Sequence, residues 1–232
     1  MISYRLLAVL LATLSALGPF SIDTYLPAFP EMGQSLGATP LQVQQTLTAY
    51  LLPFAIMTLW HGALSDALGR RRVILWALVL FGLASVGCTL ATSIEQLWFF
   101  RALQGMTAGA GIVVGRAVVR DVFQGAEAQR LMAHVAIMFA LAPAVAPVIG
   151  GWLDTLFGWR AVFLFLTTFA LALFVLCWRR LPETLPVHRR QRPDVHAQPA
   201  HLVLRQAQLG VLAVALALDV DYQPHHQRGA TH

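Results

Sequence analysis

Of the 232 residues, 57% are hydrophobic and 12% charged, whereas an ordinary soluble domain carries roughly 45–50% and about 25%. That balance excludes a soluble globular domain and leaves room for six apolar stretches of about 20 residues, the length that crosses roughly 30 Å of hydrocarbon. The 16 basic residues outnumber the 11 acidic ones, and every one is arginine. They stand between apolar runs, so they read as topology signals rather than as a solvated face for nucleic acid. Cys88 and Cys177 both fall inside apolar runs; with neither a disulfide framework nor a metal-ligand spacing, they read as small packing residues.

In chain order, Arg5 followed by the apolar residues 6–17 and the Ala16-Leu17-Gly18 triplet has the layout of a removable signal. The apolar character continues through Pro19, Phe20, Ile22 and Leu26, which favours a retained first span. Hydropathy predicts spans at 5–23, 44–61, 73–91, 97–118, 131–151 and 161–178. All are expected to be helices, because backbone groups in hydrocarbon must be paired within the segment and the runs far exceed barrel strands of about 9–11 residues. With the N-terminus inside, the cytoplasmic side collects Arg5, Arg70, Arg71, Arg72, Arg120, Arg130, Arg179 and Arg180. The outer loops then hold Arg160 beside Glu31, Glu95 and Asp154, a bias that orients the bundle.

Asp23 closes the first span within Pro19-Phe20-Ser21-Ile22-Asp23-Thr24-Tyr25-Leu26-Pro27. Desolvation favours the neutral form of a carboxyl group and a neighbouring arginine the charged form, the balance a proton-coupled switch requires; a turn-capping carboxylate before Pro27 is the plainer reading. Tyr25, with Thr46, Tyr50 and Pro53 at i, i+4 and i+7 of the second span, is placed to line one cavity. Interfacial anchoring accounts for Tyr25 nearly as well.

Residues 62–72 read Gly-Ala-Leu-Ser-Asp-Ala-Leu-Gly-Arg-Arg-Arg, a predicted cytoplasmic turn bounded by Gly62 and Gly69. Asp66 can pair with an arginine or cap a helix, and Arg70, Arg71 and Arg72 also serve as positive-inside charge. In the fourth span, Arg101 and Gln104 precede Gly105 and Gly109, which follow Arg101 at i+4 and i+8 on one close-packing face. Arg101 either snorkels to the outer boundary or faces the interior and holds a carboxylate or proton site. In the fifth span, Pro143 and Pro147 lie on one face before Gly150 and Gly151. Each proline removes a helical hydrogen bond, so a bend is expected, with small residues admitting a close neighbour.

These segments together resemble the major facilitator superfamily, and within it the bicyclomycin/chloramphenicol-resistance (Bcr/CflA) group of drug:proton antiporters. The resemblance covers roughly residues 5–186. It rests on Ser21 through Ala28, residues 62–72, Arg101-x-x-Gln104-Gly105, Val119-Arg120-Asp121-Val122-Phe123, Ala142-Pro143 through Gly151, and Leu181-Pro182-Glu183-Thr184-Leu185. Ala67 departs from the family loop, where a basic residue often follows the aspartate. The resemblance implies an all-α membrane fold of six transmembrane helices, two three-helix repeats forming one half of a twelve-helix transporter. It implies multidrug efflux by exchange of protons for small amphipathic drugs, in a bacterial inner membrane and without a cofactor. Asp23 and Arg101 would couple protons; Tyr25, Thr46, Tyr50 and Gln104 would line the substrate cavity. Gly62, Asp66, Gly69, Arg70, Arg71, Arg120 and Asp121 would form the cytoplasmic gate, and Pro143, Pro147, Gly150 and Gly151 the antiporter helix motif. The expected partners are membrane lipid, drug and proton, and either a second copy or a carboxy-terminal half, since the family has two halves of about 200 residues and this sequence matches the first.

After Leu185 the texture changes. Residues 188–232 hold six of the eight histidines, and the longest apolar run, 209–218, is too short to span. Residues 187–232 are therefore expected to be a divergent, disordered tail, with a shifted reading frame as one origin and a non-transporting remnant as the alternative function. His225 and His226 lack a carboxylate or cysteine at ligand spacing, and His61 and His134 read as isolated helix-end or lumen histidines. Within the spans there is no Gly-x-Ser-x-Gly turn, no paired metal ligands and no His/carboxylate pair at helical spacing, so nothing supports an enzyme.

Overall fold

The structure, a computed structural model, describes residues 4–190. The Arg5 side chain, His225, His226 and the 209–218 run lie outside what it describes. Seven helices account for most of the described residues: α1 (Tyr4–Asp23), α2 (Phe29–Leu36), α3 (Pro40–Leu68), α4 (Arg70–Leu90), α5 (Ile94–Val122), α6 (Gly125–Phe157) and α7 (Trp159–Arg180). A 3-10 turn, Leu26–Ala28, links α1 to α2. Among the described residues six helical segments are long and apolar enough to cross a membrane, α1 and α2 counting as one.

Helices outrun the hydropathy-derived spans because hydrogen bonding continues where apolar character stops. The expected 44–61 segment begins at Pro40, where Thr39 forms a capping box: its backbone N–H donates to Gln42 Oε1 (2.9 Å) and its hydroxyl accepts from the Gln42 N–H (3.3 Å). At the other end α3 runs on to Leu68, so Gly62 is a helix-interior residue and the expected glycine-bounded turn shrinks to Gly69. Gly69 (φ +102°) and Gly158 (φ +80°) each form a whole connection, α3 to α4 and α6 to α7. Only glycine adopts such angles without strain.

The packing repeats itself. Within the first three spans (α1, α3, α4) and the last three (α5, α6, α7), exchanging the sets maps the α3–α5 contact onto α6–α1 and leaves α1–α5 and α4–α7 unchanged, and all four contacts are present. Each exchanged crossing is closed by a glycine lying against a facing backbone carbonyl, Gly105 of α5 on Tyr50 and Gly150 of α6 on Thr24. Apolar side chains cover the outside as well as the core, Trp76 being 67% and Trp152 70% exposed, the surface of a bundle solvated by lipid.

Pro143 and Pro147 do not interrupt α6, which is helical from Gly125 to Phe157. The face that packs on α1 is Ala142, Ala146 and Gly150 at i, i+4 and i+8, all buried, while Pro143 is exposed. Gly151 meets open space. Close approach is therefore carried by the small residues beside the prolines.

Candidate functional site

Two polar clusters sit inside this apolar bundle. The first is centred on Arg101, which is 0% exposed. Snorkelling is thus excluded. Its guanidinium lies 4.1 Å from the Tyr25 ring centroid and 4.3 Å from that of Tyr50, a stacked arrangement that offsets the cost of burying the cation. Nη1 donates to the Ser21 carbonyl (3.0 Å) and to Gln104 Oε1 (2.8 Å). Gln104 Nε2 in turn donates to Ser85 Oγ (2.6 Å), and Cys88 Sγ donates to Gln104 Oε1 at 3.9 Å. Arg101 therefore ties α5 to α1, α3 and α4.

The tyrosine hydroxyls are satisfied inside the same cluster. Ser21 Oγ donates to the Tyr50 hydroxyl (2.6 Å), and the Tyr25 hydroxyl and Thr46 Oγ1 share a hydrogen bond of 3.1 Å. Tyr25, Thr46, Tyr50 and Gln104 are all fully buried. These four, expected to line the substrate cavity, are packed here with their polar atoms on one another, on Ser21, on Ser85 and on Arg101. Asp23 ends α1, half-buried, two residues from Ser21. It makes no ion pair with Arg101, yet it lies near enough to Tyr50 to interact with it electrostatically. The guanidinium Nε and Nη2 are buried without a hydrogen-bond partner among the described residues.

The second cluster closes the arginine-rich end. Three arginines at the start of α4 have the wrong sign for a helix N-terminus, and carboxylates from α3, α5 and the segment after α7 compensate. Arg70 pairs with Asp66 one turn back in α3 and with Asp121 Oδ2 at 3.1 Å, and donates to Ser65 Oγ (2.6 Å). Its backbone N–H donates to Glu183 Oε1 (2.9 Å), and Thr184 donates to Asp121 (3.1 Å). Arg71 reaches the Trp178 carbonyl (2.6 Å). Arg120 is exposed and forms no hydrogen bond or ion pair among the described residues, so it stays outside the clasp that its neighbour Asp121 joins. Ser65, Ser85, Glu183 and Thr184 belong to these clusters without having been singled out for a role from sequence. Ser65, Glu183 and Thr184 lie in segments that carry the family resemblance, and Ser85 shows only as polarity inside an apolar helix.

Arg70→Gln removes both ion pairs while leaving Asp121 half-satisfied. It is expected to cost about 2 kcal/mol, the worth of a charge-assisted hydrogen bond, and to lower the temperature at which Cys88 and Cys177, both buried in the native bundle, become reactive to maleimide.

The family model described as the Major Facilitator Superfamily matches residues 10–220. The chain belongs to the major facilitator superfamily. It is 40% identical over 182 residues to the chloramphenicol resistance protein of Pseudomonas aeruginosa, covering 75% of this chain and 43% of that one. It is 34% identical over 181 residues to multidrug resistance protein D of Escherichia coli, covering 78% and 46%. Among solved structures, the superfamily's proton:xylose symporter XylE superposes with a TM-score of 0.72 at 14% identity, over 94% of this chain and 52% of that one, a likeness of fold. The chain spans about half the length of the curated relatives it matches. It is a multi-pass membrane protein of a transporter superfamily and not an enzyme. The family match runs past residue 186, where the change in composition had set the boundary.

Proposed function

We propose that this chain is the amino-terminal lobe of an exporter that exchanges small amphipathic drugs for protons across a bacterial inner membrane. The resistance proteins among its relatives support the drug class, and the one-sided distribution of arginines supports the orientation. The observation that carries the coupling is the position of Asp23: a half-buried carboxyl with no ion pair among the described residues, at the end of the helix whose Ser21 carbonyl Arg101 holds. Taking up a proton there removes the charge Asp23 places at the end of α1 and changes what α1 presents to the second lobe. Rocking between lobes would then alternate access, and each charge carried through the full field contributes about 2.3 kcal/mol per 100 mV.

The Arg70 clasp serves as the cytoplasmic gate in this reading. It joins α3, α4, α5 and the segment after α7, so this end moves as one piece and the gate opens where it faces the second lobe. The test uses vesicles carrying the chain within a two-lobed transporter. Asp23→Asn is expected to reduce pH-gradient-driven drug efflux at least about tenfold, a change of roughly 1.4 kcal/mol, while drug still binds. Efflux and its dependence on the gradient equal to those of the unmodified protein would remove Asp23 from the coupling.

A further inference from the structure

A groove between α3, α4 and α5 at the arginine-rich end belongs to neither cluster. Leu68, Trp76, Leu80 and Met106 line it, and it encloses about 380 Å³. Three polar residues, Arg72, His61 and Thr107, interrupt this apolar lining. Arg72 stands at its mouth, exposed and without a hydrogen bond or ion pair among the described residues. His61 lies deeper, 4% exposed, its Nδ1 near Gly109 of α5.

The groove is long as well as apolar. It follows α3 from Met57 to Leu68, roughly 16 Å at about 1.5 Å per residue, which is about one leaflet of a hydrocarbon core near 30 Å thick. An extended acyl chain has that reach. At the mouth, an arginine fork matches the geometry of a phosphate, and Trp76 is the residue type that settles at headgroup level. No carboxylate lines the groove, so nothing there would balance the ammonium of a zwitterionic headgroup.

We propose that this groove holds one anionic phospholipid, its acyl chain running between α3 and α4 and its phosphate paired with Arg72. The lipid fills the cleft left where α3 and α4 part beyond the Gly69 connection.

Native mass spectrometry of the 232-residue chain in detergent, titrated with phosphatidylglycerol or phosphatidylethanolamine, tests this. Phosphatidylglycerol is expected to bind about fivefold more tightly, the factor one cationic side chain contributes near an anionic surface. Arg72→Gln should erase that preference, whereas Arg72→Lys and Arg179→Gln should keep it. Leu80→Trp, which fills the groove, should weaken both lipids. Equal binding of the two lipids to the unmodified chain overturns the proposal and needs no variant to fold. It is also overturned if Arg179→Gln erases the preference as fully as Arg72→Gln, or if the chain runs as a lipid-free dimer with the groove covered by a second copy.

Discussion

Valine in place of Gly105 or Gly150 is expected to destabilise the bundle by about 3 kcal/mol or more, the upper range for overpacking a core. A Cβ at either position falls on a backbone carbonyl, that of Tyr50 in α3 or of Thr24 just after α1. A side chain in the way can change rotamer, but here the obstacle is backbone, so α5 must move off α3, or α6 off α1. Either displacement loosens the contacts on both sides of the glycine. Gly151→Ala is the matched control, because its Cβ would meet nothing and alanine is the better helix former by about 1 kcal/mol. The measurement is maleimide labelling of Cys88 and Cys177 along a temperature ramp. Gly105→Val and Gly150→Val should label at lower temperature than the unmodified chain, Gly151→Ala at the same temperature or higher. If Gly105→Val melts with the control, the close crossing of α3 and α5 is not what holds them.

Arg101→Ala should be nearly as damaging. It takes away two ring-stacking contacts, each worth about 0.5–2 kcal/mol, and two charge-assisted hydrogen bonds. It also leaves the Ser21 carbonyl and Gln104 Oε1 short of a donor and opens a cavity between Tyr25 and Tyr50. Relief from burying the cation returns part of this, and a net loss of about 3 kcal/mol is expected. Arg101→Lys separates charge from shape: the ammonium keeps the charge but cannot lie flat between two rings while donating sideways. Its melting temperature should fall most of the way to that of Arg101→Ala. A lysine variant as stable as the unmodified chain would show that charge alone, and not the planar sandwich, organises the cluster.

The sequence carried the membrane spans because each is written in contiguous residues, and the 161–178 and 73–91 predictions fall nearly on α7 and α4. It understated α3, α5 and α6, whose ends project beyond the apolar stretch. The local signals were there, in the Thr39-Pro40-Leu41-Gln42 capping box and the left-handed Gly37 that ends α2. The site was legible only in part. Arg101 stands out as a charge inside a span, but that Tyr25 and Tyr50 both lie against it depends on segments far apart in sequence meeting. Glu183 is remote in sequence from the Arg70 N–H it accepts from, and nothing in either local pattern announces the pair. Asp66 is the contrasting case: one helical turn separates it from Arg70, and their pairing was among the options its spacing allowed.

The single-residue elbows at Gly69 and Gly158 set how this lobe can move. Each is held by a distant glutamate against the first N–H groups of the helix that follows, Glu183 on Arg70 and Glu31 on Trp159 (3.1 Å). A hinge needs slack, and these joints have none, since a tilt of α3 or α6 is handed at once to α4 or α7. The lobe therefore behaves as a stiff block, and the flexibility a carrier needs has to reside at its border with whatever stands opposite.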